Sequence, residues 1–312
     1  MGKVAFLFAG QGAQKPGMCA DVAAAEPAAK AVFDMADSVR PGTSSQCFSG
    51  TKEELTATQN TQPCVFAVDL AIASALKSHG VTPDVVAGFS LGEVAALTFA
   101  GSLTNEKGFE LVCHRGELMA DAAAAHPGQM RAVVKLDADV VKDLAAKAAA
   151  QSGGECWPVN FNSPQQTVVA GTPEALSALD GLVKAARGRA LKVAVSGAFH
   201  SPYMEDATKG LAELLSGEYA LAEPSLPVYA NLTGSPYPQS ADERADTLAK
   251  QASNPVQWTL TLANMREAGV DTFVEVGPGH TLTGLVKRTL SGVTAISCEN
   301  EEQLTAVVAE LA

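Results

Sequence analysis

Short apolar runs alternate with helix-like stretches along most of this chain. Three of the runs have the length and composition of strands buried on both faces of a parallel sheet. They are Val4–Phe8, Val85–Ala87 and Thr272–Val276. Between them lie alanine- and leucine-rich helical stretches such as Val65–Leu76, and Thr51 with Glu54 forms a capping box at the start of another helix. The pattern predicts an α/β architecture built on a parallel sheet.

The middle of the chain has a different order of elements. In chain order we expect strand Gln129–Leu136, helix Asp137–Gln151, strands Trp157–Asn162 and Gln166–Ala170, a helix from Pro173 to about Arg187, and strand Ala190–Val195. The order β-α-β-β-α-β is typical of a ferredoxin-like unit. We therefore expect a large α/β-hydrolase-like domain, residues 1–126 and 196–312, that contains an inserted ferredoxin-like subdomain, residues 127–195.

A serine stands at the apex of one predicted strand–turn–helix unit. The strand Val85–Ala87 leads into Gly88–Gly92, with sequence Gly-Phe-Ser-Leu-Gly, and a helix-forming stretch follows from Glu93 to Ala100. The two glycines allow a sharp turn and close packing, which would expose the Ser90 hydroxyl as in a nucleophile elbow. The N-terminus of the next helix would favour negative charge on an attacked carbonyl group.

A serine nucleophile needs a base, and the chain has five histidines. His200 follows a predicted strand and precedes Ser201-Pro202, a helix start, so it lies in a strand-to-helix loop like Ser90. His280 lies in a loop of the same kind and is the alternative base. A loop histidine can also serve only to bind backbone, but the presence of Ser90 favours His200 as the base.

Arg115 lies on an apolar stripe of the helix from about Asn105 to Ala122. Its neighbours at three and four residues are all apolar, so the guanidinium faces the core, where an unpaired charge is costly. It must meet an anion. Either a structural Asp or Glu or a substrate carboxylate held by the planar fork would serve, and the sequence does not decide between them.

The loop Ala9–Gln14 follows the first strand and contains glycines at positions 10 and 12. It lacks the third glycine of a dinucleotide fingerprint and the lysine of a phosphate loop. We interpret it as an oxyanion-hole loop, in which the backbone N–H of Gln11 approaches a carbonyl oxygen bound at Ser90. No acid stands where a third triad member is expected, which favours a serine–histidine dyad oriented by a backbone or amide oxygen.

Composition narrows the class of protein. The chain has 312 residues, 47% of them hydrophobic and 18% charged, as in a globular protein with a large core. Six scattered cysteines show no metal-ligand spacing and no disulfide framework, so we expect a reducing cytoplasm and no metal. A net charge of −12 argues against nucleic acid or an anionic membrane as partner. No apolar run reaches membrane-spanning length, and the first residues are interrupted too soon for a signal peptide.

Seven short motifs, in this order, together resemble the malonyl-CoA:acyl-carrier-protein transacylase family essentially from end to end. They are Phe8–Gln14, Asn60–Pro63 before the first long helix, Gly88–Glu93, Arg115–Met119, Gly197–Pro202, Asn254–Trp258 and Glu275–Gly279. The resemblance implies transfer of malonyl from malonyl-CoA to the phosphopantetheine thiol of acyl carrier protein through a malonyl-serine. It implies no cofactor and a monomer. The alternatives are a serine esterase or thioesterase, a trans-acting acyltransferase of polyketide type, and a non-catalytic module that binds carrier protein.

The resemblance also implies individual roles. Ser90 would be the nucleophile, His200 the base, Gln11 and Leu91 the oxyanion donors, and Arg115 the ligand of the malonyl carboxylate, with Gln251, Phe199 and Met119 in support. The backbone carbonyl near Gln251 would orient His200, and Phe199 resembles the malonyl-selecting version of its motif. Most relatives carry histidine where this chain has Phe89, so no role carries over to that position.

Acyl carrier protein is usually acidic, as this chain is, so docking requires a local basic surface. Two basic clusters are candidates. They consist of Arg187, Arg189 and Lys192 at the end of the small subdomain, and Lys287 and Arg288 near the C-terminus.

Overall fold

Two β-sheets with helices packed around them make up the part of the chain that the computed structural model describes, residues 2–195 and 197–312. The strands are β1 Lys3–Phe8, β2 Val85–Gly88, β3 Gln129–Val134, β4 Cys156–Ser163, β5 Gln166–Gly171, β6 Arg189–Lys192, β7 Val228–Tyr229, β8 Val270–Val276 and β9 Thr294–Cys298. The helices are α1 Ala20–Ala25, α2 Pro27–Val39, α3 Thr43–Ser49, α4 Lys52–Thr56, α5 Thr58–Ser78, α6 Leu91–Phe99, α7 Asn105–Ala125, α8 Ala138–Ser152, α9 Pro173–Ala185, α10 Glu205–Leu215, α11 Ala241–Gln251, α12 Trp258–Glu267, α13 Thr281–Thr289 and α14 Glu301–Leu311. A 3₁₀ turn, Pro202–Met204, precedes α10.

The larger sheet is parallel and has the strand order β7-β2-β1-β8-β9. Its central strand β1 ends at Phe8, which lies beside Gly88 of β2 and Val276 of β8. The loops that follow these three strands therefore leave the sheet side by side at its carboxyl edge. Ligands bind at this edge in open α/β sheets, and the Gln11 and Ser90 loops both lie there.

The smaller sheet is antiparallel and has the strand order β4-β5-β3-β6. Helices α8 and α9 bury Val141, Leu144, Leu176 and Leu179 in a separate core with it. The predicted ferredoxin-like order of elements is therefore confirmed, although β6 ends at Lys192 rather than at position 195. The boundaries at 126/127 and 195/196 stay predictions. Met1 and Ser196, with which two of the predicted ranges begin, lie outside the described residues.

Helix α5 begins at Thr58, so the expectation that Asn60–Pro63 precedes the first long helix is wrong. Pro63 lies inside the helix, where proline ordinarily costs about 3 kcal/mol. The helix is buried on nearly all sides, against α2, α6 and α7, and burial of its apolar side chains outweighs that cost. The longer helix places Thr58 and Gln62 four residues apart on one face.

Helix α5 also carries a buried acid, Asp69, whose two carboxyl oxygens have no hydrogen-bond partner among the residues described. A Cβ atom at Gly277 would lie only 2.0 Å from Asp69 Oδ1, so the loop after β8 packs directly on this carboxyl group. Burial, reinforced by the nearby Glu275, raises the pKa of Asp69 well above its ordinary value of 3.8. Burial therefore favours the protonated form of Asp69 in the core.

We expect Asp69→Asn to stabilise the protein at pH 8 and to have a smaller effect at pH 5. The folded state binds the Asp69 proton more tightly than the unfolded state, so this group lowers the free energy of unfolding as pH rises above about 4. A neutral amide removes that dependence. Urea unfolding at both pH values measures the difference, with Asp139→Asn, whose side chain is 92% exposed, as the control. A gain of stability that is equal at both pH values would contradict a raised pKa.

Candidate active site

The serine at the end of β2 has a strained backbone. Ser90 has φ 57° and ψ −110°. For a residue other than glycine, this backbone conformation carries a strain energy of about 1–3 kcal/mol. The flanking glycines permit the turn, because a Cβ at Gly88 would lie 1.9 Å from the Gly92 carbonyl and one at Gly92 would lie 2.4 Å from the Phe8 carbonyl. Helix α6 begins at the next residue, Leu91. The local geometry is that of the expected elbow.

An asparagine from a distant strand end holds this turn in place. The side-chain oxygen of Asn231 accepts a hydrogen bond from the backbone N–H of Ser90 at 2.7 Å. Its amide nitrogen donates to the Gly88 carbonyl, also at 2.7 Å. Asn231 is fully buried just beyond β7. Both bonds bind backbone groups that the turn would otherwise leave unpaired, which offsets part of its strain.

His200 lies directly against the serine. Its Nε2 atom is 2.8 Å from Ser90 Oγ, and its Nδ1 atom is 2.9 Å from the backbone carbonyl oxygen of Gln251. Because a carbonyl can only accept, Nδ1 carries the proton and Nε2 is free to accept the serine proton. No carboxylate binds this imidazole among the residues described. His280, the alternative base, is exposed at the start of α13 and has no hydrogen bond to Ser90.

The imidazole is neutral at physiological pH. Burial, together with repulsion from the Arg115 guanidinium, lowers the pKa of His200 to about 4, although backbone hydrogen bonds oppose the shift. A neutral imidazole is the form that accepts a proton. His200 can therefore act as a general base over the whole neutral range.

Arg115 is buried beside the nucleophile and contacts only neutral oxygens. Its Nη1 donates to Gln62 Oε1 at 2.6 Å, while Nη2 donates to Gln251 Oε1 at 2.7 Å and to Ser90 Oγ at 3.2 Å. Its Nε has no partner within residues 2–195 and 197–312. Of the two anions left open by the sequence, a structural carboxylate in contact with the guanidinium is not found in that part of the chain.

Gln251 and Glu93 link these groups into one buried network. The Gln251 side chain donates from Nε2 to the Ser90 carbonyl at 2.8 Å and to Glu93 Oε2 at 2.9 Å. Glu93 also accepts from the backbone N–H of Asn231 at 3.0 Å and from the Tyr237 hydroxyl. Burial raises the pKa of Glu93 to about 7 against these hydrogen bonds. The sequence predicted a role only for the backbone carbonyl of Gln251. It predicted none for Glu93, Asn231 or Tyr237.

A cavity of about 270 Å³ opens between the two sheets and contains the nucleophile. The predicted site residues that line it are Gln11, Ser90, Arg115, Met119, Phe199 and His200. Leu91 and Gln251 lie behind its wall. Neither the N–H of Gln11 nor that of Leu91 donates a hydrogen bond to another group in the described residues, so both donors are free for a ligand.

Phe89 fills the apolar space beside the elbow. Its ring meets Trp258 edge-on with 5.3 Å between the ring centroids. On the other side, a Cβ at Gly10 would lie 3.0 Å from Phe89 Cδ1, so the ring touches the start of the Gln11 loop. Histidine here would bring a polar ring against indole, and phenylalanine instead packs the elbow on α12.

In the described part of the chain, no group of three or more His, Cys, Asp or Glu side chains is arranged to hold a metal ion. Among the same residues, no helix combines the length and the apolarity that crossing a membrane would require.

The site combines a serine on a strand-to-helix turn, a neutral histidine at its hydroxyl and two free backbone donors, an arrangement that is chemically able to carry out acyl transfer. The family model for the acyl transferase domain matches residues 5–308. The chain belongs to this acyltransferase family.

Several relatives match over their whole length. The chain is 38% identical over 315 residues to a malonyl CoA-acyl carrier protein transacylase of Escherichia coli, covering 100% of both chains. It is 36% identical over 313 residues to the transacylase of that name from Bacillus subtilis, covering 100% of this chain and 98% of the relative. A solved structure of a type II PKS acyl-carrier protein in complex with its malonyl-transacylase superposes with a TM-score of 0.94 at 36% identity, covering 99% of each chain. A transacylase structure from Clostridium perfringens gives 0.94 at 33% identity, with 99% and 97% covered.

Proposed function

We propose that this protein transfers malonyl from malonyl-CoA to the phosphopantetheine thiol of acyl carrier protein through a malonyl ester of Ser90. The observation that carries the proposal is the buried Arg115 guanidinium, 3.2 Å from the nucleophilic oxygen and, among the residues described, without a carboxylate in contact. A fixed cation at the nucleophile favours an acyl group that ends in a carboxylate. The names of the Escherichia coli and Bacillus subtilis relatives support the same substrate and acceptor.

The first half-reaction makes the serine ester. His200 Nε2 accepts the proton of Ser90 Oγ as this oxygen attacks the malonyl thioester carbonyl. The backbone N–H groups of Gln11 and Leu91 bind the oxyanion of the tetrahedral intermediate. The intermediate then collapses, the carbon–sulfur bond breaks, and the CoA thiolate takes the proton back from His200.

The second half-reaction runs the same steps in reverse. The phosphopantetheine thiol gives its proton to His200, its sulfur attacks the ester carbonyl, and Ser90 leaves as the alkoxide and regains the proton. The overall reaction is ping-pong transfer by a dyad. The Gln251 carbonyl, 2.9 Å from Nδ1, serves as the group that orients the imidazole.

Arg115 supplies the selectivity for malonyl. Without a substrate carboxylate, its hydrogen atoms are shared among the neutral oxygens of Gln62, Gln251 and Ser90, and Nε has no partner in the described part of the chain. A malonyl carboxylate would replace weak neutral contacts by charge-assisted ones, and an acetyl group offers nothing in that place.

Intact-mass measurement after mixing with malonyl-, methylmalonyl- and acetyl-CoA in parallel tests the proposal. We expect one malonyl group on the wild-type protein, long-lived in the absence of carrier protein, and none on Ser90→Ala. Addition of carrier protein that bears phosphopantetheine should remove the adduct and yield malonyl-carrier protein. Rapid release of free malonate would instead identify a thioesterase, and no adduct at all would indicate a non-catalytic binding module.

The alternative acceptor is a carrier protein of polyketide synthesis, which the solved complex with a type II PKS carrier protein favours. The chemistry at Ser90 is the same for either acceptor. We propose a fatty acid carrier protein in the cytoplasm, where the six free thiols of this chain would stay reduced. Comparing transfer rates to the two types of carrier protein decides between them.

Each basic docking cluster has one member beside the rim of the cavity. All five side chains are exposed. Lys192 immediately precedes Val193, which lines the cavity, and Arg288 donates to Gln166 Oε1 at 2.9 Å, another lining residue. We propose that an acidic carrier protein docks on this rim and passes its phosphopantetheine arm into the cavity.

We expect Arg189→Glu with Lys192→Glu to lower kcat/KM for the carrier protein about tenfold or more, more strongly at low salt. The rate of acylation by malonyl-CoA at saturation should not change. Lys147→Glu, an exposed lysine on α8, is the matched control. An unchanged rate with carrier protein would exclude this surface.

A further inference from the structure

The hydroxyl group of Thr58 lies in the core between two parts of the site that perform different tasks. Its Oγ1 donates a hydrogen bond to Gln11 Oε1 at 2.9 Å and accepts one from Gln62 Nε2 at 3.1 Å. Thr58 is 2% exposed and Gln62 1% exposed, whereas Gln11 is partly exposed and lines the cavity. Thr58 stands at the first position of α5 but caps nothing there, since the helix has no side-chain cap.

The hydrogen bonds continue from Gln62 to the arginine. Gln62 Oε1 accepts from Arg115 Nη1 at 2.6 Å. Because an arginine can only donate, Gln62 presents its oxygen to Arg115 and its amide nitrogen to Thr58, and Thr58 in turn donates its hydroxyl proton to Gln11. This chain of hydrogen bonds runs in one direction, from the cation that faces the acyl group to the residue whose backbone N–H faces the oxyanion.

Packing around these residues leaves little freedom. Thr58 and Gln62 lie one turn apart on α5. A Cβ atom at Gly116, the residue after Arg115, would lie 3.1 Å from Gln59 Cα and 3.3 Å from the Thr58 carbonyl oxygen. Helices α5 and α7 therefore touch backbone to backbone where the chain crosses between them.

We propose that Thr58 is a positioning residue that couples recognition of the acyl carboxylate at Arg115 to the placement of the Gln11 oxyanion donor. The proposal rests on the proposed function. Arg115 is the only charged residue among these four hydrogen-bonded residues. A carboxylate that binds Arg115 changes the strength of its hydrogen bond to Gln62. Buried hydrogen bonds polarise one another, so the change passes through Thr58 to Gln11. A neutral acyl group leaves the hydrogen bonds between Arg115 and Gln11 unchanged.

The consequence is a contribution to selectivity and not only to rate. Thr58→Val removes the hydroxyl group and keeps the shape of the side chain, whereas Thr58→Ser keeps the hydroxyl. We expect Thr58→Val to lower the ratio of kcat/KM for malonyl-CoA to that for acetyl-CoA about 5- to 30-fold, the effect of a lost buried hydrogen bond. Thr58→Ser should keep the ratio within about twofold of the wild type.

Thr61→Val is the matched control. Thr61 is a fully buried threonine on the same helix, and its hydroxyl donates to the carbonyls of Leu55 and Ala57, outside the chain of bonds to Arg115. It should reduce stability without changing the ratio. Combining Thr58→Val with Arg115→Ala completes the test, because in that background the Thr58 substitution should have no further effect on the ratio.

Two outcomes overturn the proposal. In the first, Thr58→Val lowers malonyl and acetyl transfer by the same factor. In the second, Thr58→Val lowers the malonyl-to-acetyl ratio of kcat/KM equally in the presence and absence of Arg115. If Thr58→Val does not fold, as judged by its thermal unfolding, Thr58→Ala takes its place with the same expectations. Failure of the proposed function is a separate result, since the wild-type protein would then form no malonyl-Ser90 by intact mass.

Discussion

Ser90→Ala and His200→Ala are each expected to lower kcat/KM for malonyl transfer by about 10⁵- to 10⁶-fold, and the double variant should be no slower than either one. The two side chains act as a unit, because the serine oxygen is 2.8 Å from the only imidazole nitrogen that can take its proton. Once the base is lost the hydroxyl is a weak nucleophile, and once the hydroxyl is lost the base has no substrate proton to accept.

Steady-state rates with malonyl-CoA and carrier protein measure these effects, with intact mass as a second readout. His280→Ala is the control, since His280 is an exposed histidine in a loop of the same kind, and it should retain the wild-type rate within about twofold. Additive losses in the double variant would mean that another group serves as base. A large loss in His280→Ala would indicate that His280 is this group.

The local features of the site could be predicted because each is written in a few consecutive residues. Two glycines around a serine indicate the elbow, and a helix start after His200 places this histidine in a loop. The expected reason for its position was wrong, because the preceding strand β6 ends at Lys192 and belongs to the antiparallel sheet, not to the parallel one. The parallel sheet then supplies the long-range step, since β1 and β2 are neighbours and their loops leave at one edge. Strand β1 and the loop that follows it could likewise be predicted from consecutive residues alone.

The network behind the nucleophile could not be predicted, because it depends on contacts between distant parts of the chain. The amide of Gln251 reaches the carbonyl of Ser90 161 residues away, and Asn231 binds its N–H across 141 residues. Asn231 follows the apolar run Val228–Ala230, a polar residue at a strand end, but β7 has only two residues and is too short to recognise by pattern.

For Arg115, the apolar residues on the same helix face predict burial but do not predict which groups the side chain contacts. The apolar neighbours predicted a buried guanidinium, which the structure confirms, and an anion to pair with it, which no carboxylate in contact among the described residues provides. They could not identify the neutral oxygens that the guanidinium contacts instead, because these oxygens come from α5, the turn before α6, and α11. That these oxygens are neutral is a property of the assembled site, and it leaves the charge of Arg115 available to a ligand.

Arg115→Ala is expected to lower kcat/KM for malonyl-CoA about 30- to 4,000-fold, the range for loss of one partner of a buried charge pair. Acetyl transfer should fall much less, so the preference for malonyl shrinks or reverses. Arg115→Lys keeps the charge but not the planar fork and should give an intermediate ratio. Competition between malonyl- and acetyl-CoA measures the ratio directly.

Arg115→Ala should also shift the acid limb of the pH–activity profile to higher pH, an effect that lost packing alone does not explain. Repulsion from Arg115 is one cause of the His200 pKa near 4, and removing the cation lets this pKa rise toward its ordinary value of 6.5. Since His200 must be neutral to accept the serine proton, activity is lost as pH falls through its pKa. The acid limb of kcat/KM for acetyl transfer should therefore lie near pH 4 in the wild type and higher in Arg115→Ala.

Arg131→Ala is the control for this shift, because Arg131 is an arginine of the small sheet that pairs with Asp180 and does not contact the dyad. It should leave both the ratio and the acid limb unchanged. A wild-type malonyl preference retained in Arg115→Ala would remove Arg115 from the carboxylate site, and an unmoved acid limb would separate Arg115 from His200. Under the proposed function, a bound malonyl carboxylate would pair with Arg115 and offset its charge, so the cation that selects the substrate would also tune the pKa of His200. We expect His200 to be a stronger base when malonyl is bound than in the empty site.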